Sequence, residues 1–100
     1  MKKDEVMQMA FEIISSAGDA MNEYYSALVY YKKNNLNEAR IKARKGDEFL
    51  KITHTIHTKL IQREANNDEI PYSLLMTHAQ DHLNSAINWQ RIVNLFLTDE

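Results

Sequence analysis

Three residues in the whole chain are strong backbone breakers: Gly18, Gly46 and Pro71. Strand-based folds need frequent tight turns, and those turns draw on glycine and proline for backbone angles that other residues resist. With two glycines and one proline in 100 residues, the chain is predicted to be all-α. A chain of this length forms one domain, spanning residues 1–100. It buries a modest share of its surface, and oligomerisation is a standard remedy for such marginal folds.

Apolar residues recur at helical spacing through three segments. The first runs from about Asp4 to Lys33, with Val6, Met9, Ile13, Ala17, Ala20, Tyr24, Ala27, Leu28 and Tyr31 along one side. Asn34-Asn35 breaks it, and Asn35 with Glu38 three residues on reads as a capping box. The second segment continues to about Ala65 and turns Ala39, Ala43, Gly46, Leu50, Thr53, Ile56 and Leu60 inward, until Asn66-Asn67-Asp68 ends it. Pro71 and then Ser73 mark the third start, and that helix runs to about Leu97. Helices of roughly 25–30 residues are about 40 Å long at 1.5 Å per residue. Short connections make neighbours antiparallel, so an up-down-up three-helix bundle is expected.

The third segment is apolar nearly all round, through Leu74, Leu75, Met76, Ala79, Leu83, Ala86, Ile87, Trp89, Ile92, Val93, Leu95 and Phe96. Such a helix is expected to be buried on more than one side. Two partner helices cannot surround it, so packing against copies of itself in a closed homo-oligomer is predicted. Within it His78, Asp81, His82 and Ser85 fall at i, i+3, i+4 and i+7, one face that continues the stripe of Leu74, Trp89, Ile92 and Phe96. Imidazoles and a carboxylate among core residues cost on the order of several kcal/mol unless satisfied. Three chemistries meet that need. One is plain hydrogen bonding. A second is metal ligation, for which His at i and i+4 with Asp81 is a workable set, although Ala79 stands where a zinc hydrolase carries Glu. The third is a nucleophilic histidine that attacks phosphorus, with His82 and Gln80 as charge-stabilising donors. His54 and His57, among Thr53, Thr55 and Thr58, form a further pair whose value depends on whether it faces that band.

Composition excludes several classes. Without cysteine there are no disulfides, thiolate zinc sites or cysteine nucleophiles. No apolar run approaches the roughly 18–20 residues of a membrane span, and the N-terminal stretch has no signal-peptide pattern, so a cytoplasmic protein without membrane insertion is expected. The cluster Lys32, Lys33, Arg40, Lys42, Arg44, Lys45 and Lys51 is interleaved with Glu38, Asp47 and Glu48, and the net charge is −2. It reads as a solvated helix face, not a nucleic-acid surface.

The run Pro71-Tyr72-Ser73 with Met76-Thr77-His78-Ala79-Gln80-Asp81-His82-Leu83 resembles the signature of the lactose/cellobiose-type enzyme IIA of the bacterial phosphoenolpyruvate-dependent sugar phosphotransferase system. Phe11-Glu12-Ile13-Ile14 and Ala17-Gly18-Asp19-Ala20 resemble that family's first helix. Ala39, the His54 region and Leu60-Ile61-Gln62-Arg63-Glu64-Ala65 resemble its second. The resemblance implies an antiparallel three-helix subunit in a homotrimer. It implies that His78 accepts a phosphoryl group from the histidine-containing phosphocarrier protein and passes it to a cysteine of the cognate IIB, while the membrane IIC moves a β-linked disaccharide. It further implies that His82 and Gln80 support the transfer, and that Asp81 holds one magnesium ion per trimer. A helical metal-binding or regulatory oligomerisation module is the alternative. The chain departs from the family pattern at Asn84, where methionine is usual, at His57, where glutamine is usual, and in the absence of a basic tail after Leu97-Thr98-Asp99-Glu100.

Overall fold

The structure, a computed structural model, describes residues 1–98; Asp99 and Glu100 of the acidic C-terminal run lie outside the described residues. Three helices make up the fold: α1 (Lys3–Lys32), α2 (Leu36–Ala65) and α3 (Leu74–Leu97). They pack as the antiparallel up-down-up bundle expected, in a body about 49 Å long. Each boundary falls within a residue or two of its predicted place.

Asparagine, not glycine, ends the first two helices. Asn34 (φ 60°) and Asn67 (φ 67°) adopt the left-handed conformation that asparagine tolerates better than other side chains do. Each closes the same pair of hydrogen bonds. Asn35 N–H donates to Tyr30 O and Asn34 N–H to Tyr31 O, both at 3.0 Å; Asp68 N–H donates to Arg63 O and Asn67 N–H to Glu64 O, also at 3.0 Å. These Schellman turns satisfy carbonyls that the helix ends leave open. At the opposite ends, the Asn35 side chain accepts Glu38 N–H (3.2 Å) and Ser73 Oγ accepts Met76 N–H (3.3 Å).

α1 is the central helix and packs against both others. Its inner stripe of Val6, Ala10, Ile13, Ala17, Ala20, Tyr24 and Ala27 is wholly buried. The many alanines let the axes approach closely. Two polar ties fix the rotation of the helices. Ser16 Oγ and Thr53 Oγ1 lie 2.6 Å apart in the buried α1–α2 interface. Tyr24 Oη donates to Asp47 Oδ1 (2.6 Å), which also accepts from Gln90 Nε2 (2.8 Å), so one carboxylate joins all three helices. The Tyr24 ring lies against the bare Cα of Gly46; a Cβ there would stand 2.5 Å from Tyr24 Cε1.

Within a single copy only one side of α3 is covered. Within one copy it buries Met76, Ala79, Leu83, Ala86 and Val93, whereas Leu74, Ile92, Leu95 and Phe96 are exposed. The polar band is therefore on the outside of the subunit, not among core residues. Apolar content on all sides of a helix does not separate a core face from an uncovered one, and here the two faces are distinct.

Candidate functional site

The outer face of α3 has its own order. Leu74, His78, Asp81, Ser85, Asn88, Ile92 and Leu95, all exposed, are spaced alternately four and three residues apart. This is the repeat of a coiled-coil seam, here with apolar ends and a polar middle. The predicted stripe included Trp89 and Phe96 instead. Those two rings turn aside to α1, Trp89 edge-on to Tyr25 (6.1 Å between centroids) and Phe96 against Tyr31 (5.3 Å). Asn88 and Leu95 replace them on the seam.

His78 sits on the seam's upper part, in the second turn of α3. Helix Cα–Cβ bonds tilt toward the N-terminus, so its ring leans over the first turn. There it lines a shallow depression of about 570 Å³ with Leu74, Leu75, Thr77 and Asp81. Its ring meets that of His82 edge-on, with centroids 4.4 Å apart. His82 Nδ1 lies 3.2 Å from the His78 carbonyl oxygen, a contact that puts a proton on Nδ1 and leaves Nε2 as the free nitrogen of a neutral ring. His78, Asp81 and His82 are thus together, as the spacing implied.

Gln80 is not with them. Two residues from His78, it points to the other flank of α3, where its Nε2 lies 3.4 Å from His57 Nε2. The two side chains share the wall of a second depression of about 220 Å³ with Thr77, Ser73, Tyr72 and Glu64. Thr77 lies on the rims of both depressions. Of the α2 histidine pair, His57 therefore faces α3 while His54 is exposed. Burial holds the His57 pKa below the usual histidine range, and the neighbouring His54 lowers it further. A further depression, about 950 Å³, lies farther along α3 among Asn88, Arg91, Ile92, Asn94, Leu95 and Thr98. Among the described residues it holds no histidine or carboxylate, and it is the open continuation of the seam.

Within one copy, among the described residues, no three histidine or carboxylate side chains converge on a metal position. Asp81, exposed in the middle of the seam, offers oxygen donors of the type that suit a hard cation. No helix is long and apolar enough to cross a membrane among the described residues.

Residues 8–98 match the family model of the phosphotransferase system lactose/cellobiose-specific IIA subunit. The chain belongs to this family. The lactose-specific IIA component of Staphylococcus aureus is 34% identical over 87 residues, covering 87% of this chain and 84% of the relative. The oligo-β-mannoside-specific IIA component of Bacillus subtilis is 32% identical over 90 residues, covering 90% and 82%. Among solved structures, the cellobiose-specific enzyme IIA of Bacillus anthracis superposes with a TM-score of 0.89 at 32% identity, covering 97% of this chain and 87% of that one. PtcA of S. mutans superposes with a TM-score of 0.94 at 30% identity, covering 97% and 95%. As a lactose/cellobiose-type IIA protein, the chain carries His78 and Asp81 of its His-Ala-Gln-Asp-His run on the uncovered face of its last helix, with Ala79 buried and Gln80 turned toward α2.

Proposed function

We propose that this IIA protein is a cytoplasmic phosphohistidine carrier with His78 as its acceptor. The observation that carries the reading is the placement of His78: exposed, one turn into α3, and edge-on to His82. A neutral imidazole nitrogen of His78 attacks phosphorus on the phosphohistidine of the histidine-containing phosphocarrier protein. The new N–P bond forms as the donor's N–P bond breaks, through a loose transition state with charge spread over three oxygens. The protein's contribution is position and fixed dipoles. Because the ring leans toward the first turn, the added anion sits near the positive end of α3, a field worth about 0.3–1 kcal/mol. His82, on the same flank, donates to phosphoryl oxygens from its remaining nitrogen when protonated. The group then passes to a cysteine of the cognate IIB, and the membrane IIC moves a β-linked sugar; relatives named for lactose and for oligo-β-mannosides support that sugar class.

Assembly completes the site. The four–three spacing of the exposed seam supports a parallel self-association, and a homotrimer is the closed ring we propose. In such a ring one flank of each α3 meets the opposite flank of the next. Gln80 of a neighbouring copy then lies beside His78, which reconciles its proposed supporting role with its position in a single subunit. Asp81 side chains of the three copies converge at the axis and would hold one magnesium ion. The ion there would offset carboxylate repulsion; it takes no part in transfer.

The test is acceptance of labelled phosphate from phosphoenolpyruvate through the general phosphotransferase proteins. The wild type is expected to take up label and His78→Ala to take up none. Normal labelling of His78→Ala would overturn the assignment. Retained stoichiometric metal without labelling of the wild type would favour a metal-binding module instead.

A further inference from the structure

His57 is half-buried and aimed at Gln80, yet the phosphocarrier reading gives it no task. Gln80 presents its amide nitrogen to His57 Nε2 at 3.4 Å. A primary amide nitrogen only donates, so Nε2 of His57 accepts and the imidazole proton is on Nδ1. The Gln80 carbonyl oxygen is consequently the end of the amide left free for another partner, which in the proposed ring is the next copy. A protonated His57 reverses this. Both ring nitrogens then donate, the Gln80 amide turns over to offer Oε1 to His57, and its NH₂ group faces outward instead. At 3.4 Å the bond is long, so neither orientation is held by a deep well.

We infer that His57 is a positioning residue for Gln80, setting by its protonation state whether Gln80 presents a carbonyl or an amide NH₂ group to the phosphoryl-acceptor histidine of the neighbouring subunit. The inference rests on the reading of His78 as acceptor and on the ring assembly. With His57 neutral, the outward carbonyl accepts the N–H of the unphosphorylated His78 imidazole. That fixes the tautomer and leaves the other nitrogen free to attack. With His57 protonated, the outward NH₂ group cannot accept, and it opposes the N–H of the resting imidazole. Acceptance is therefore fastest with His57 neutral.

The surroundings of His57 support this working state. Titratable groups near it are His54 one turn back, and Glu64 and Tyr72 on the shared depression. From α3 come only the uncharged Met76, Thr77 and Gln80, and no α1 residue lines this depression among the described residues. Burial and His54 both favour the neutral ring. The folded state thus prefers neutral His57. The stability this contributes is fully present above the ordinary histidine pKa and is lost as pH falls below it.

The experiment uses the assembled, isotopically labelled protein and follows the His57 ring nitrogens and the Gln80 side-chain amide by NMR from about pH 8 to about pH 5. His57 should carry its neutral-state proton on Nδ1, and the Gln80 amide signals should move with the midpoint of His57. His57→Gln keeps a hydrogen-bonding partner that does not titrate, and it should freeze the Gln80 signals across this range. In parallel, the acid limb of the labelling rate should be shallower in His57→Gln than in the wild type. Gln80 signals that ignore the His57 titration, or an acid limb unchanged in His57→Gln, would overturn the inference. Failure of the wild type to accept label at any pH would overturn the phosphocarrier reading instead. The NMR coupling of Gln80 to His57 is read independently of that outcome.

Discussion

Gly46→Ala sets two local effects against each other. In an exposed helix the substitution stabilises by about 1 kcal/mol, because alanine loses less backbone freedom on folding. Here the new Cβ would stand 2.5, 2.7 and 2.9 Å from Cε1, Cδ1 and Cζ of Tyr24. Carbon atoms pack comfortably at about 3.5–4.0 Å, so the ring must retreat by roughly 1 Å. It has nowhere easy to go, being wholly buried with its hydroxyl bound to Asp47 at 2.6 Å. Overpacking of this kind costs about 1–3 kcal/mol, and loosening a hydrogen bond to a carboxylate adds about 1.5–3 kcal/mol. The steric loss wins, and net destabilisation of about 1.5–5 kcal/mol is expected after the propensity gain. For a domain of this size that lowers Tm by about 6 °C or more, measured by circular dichroism at one fixed protein concentration. Removing the ring should relieve the clash, so Tyr24→Leu should be less harmful beside Gly46→Ala than alone, by about 1 kcal/mol or more of coupling. A Gly46→Ala protein more stable than the wild type, or strictly additive behaviour in this cycle, would refute the close-packing argument.

Two further outcomes follow from the helix interfaces. Thr53→Val keeps the shape of a buried side chain but breaks the 2.6 Å contact with Ser16, whose hydroxyl keeps the Glu12 carbonyl at 2.9 Å. A loss of about 1 kcal/mol in urea unfolding is expected, with little further loss on adding Ser16→Ala; an unchanged midpoint would contradict it. Ile92→Glu puts three like charges into the proposed seam from a residue that is exposed in one copy. Sedimentation should report a shift from trimer to monomer with helix content retained, and an unchanged mass would remove α3 from the interface.

Much of the fold was legible because its signals are local. Helix spacing and the Asn34-Asn35 and Asn66-Asn67 breaks depend on neighbouring residues alone, and asparagine supplies the left-handed turns that glycine would usually supply. The outer seam was only partly legible. Periodicity gives an angle around one helix but not the rotation of that helix against the bundle, so it groups Trp89 and Phe96 with His78 although they belong to the α1 contact. The same limit hid the Tyr24–Asp47–Gln90 tie and the His57–Gln80 contact, each made between helices far apart in sequence. Nearness in sequence puts Gln80 beside His78, whereas two residues along a helix are about 200° around it. A signal for His57 did exist, a histidine on the Thr53 side of α2. Periodicity alone could not say what it faced.

The central claim is that His78 carries phosphate, and site-resolved mass spectrometry of the labelled protein tests it most directly. After incubation with phosphoenolpyruvate and the general phosphotransferase proteins, handled at neutral to alkaline pH to preserve phosphohistidine, the added mass should map to His78. It should disappear on exposure to the cognate IIB. No added mass, or one confined to His54, His57 or His82, would contradict the account.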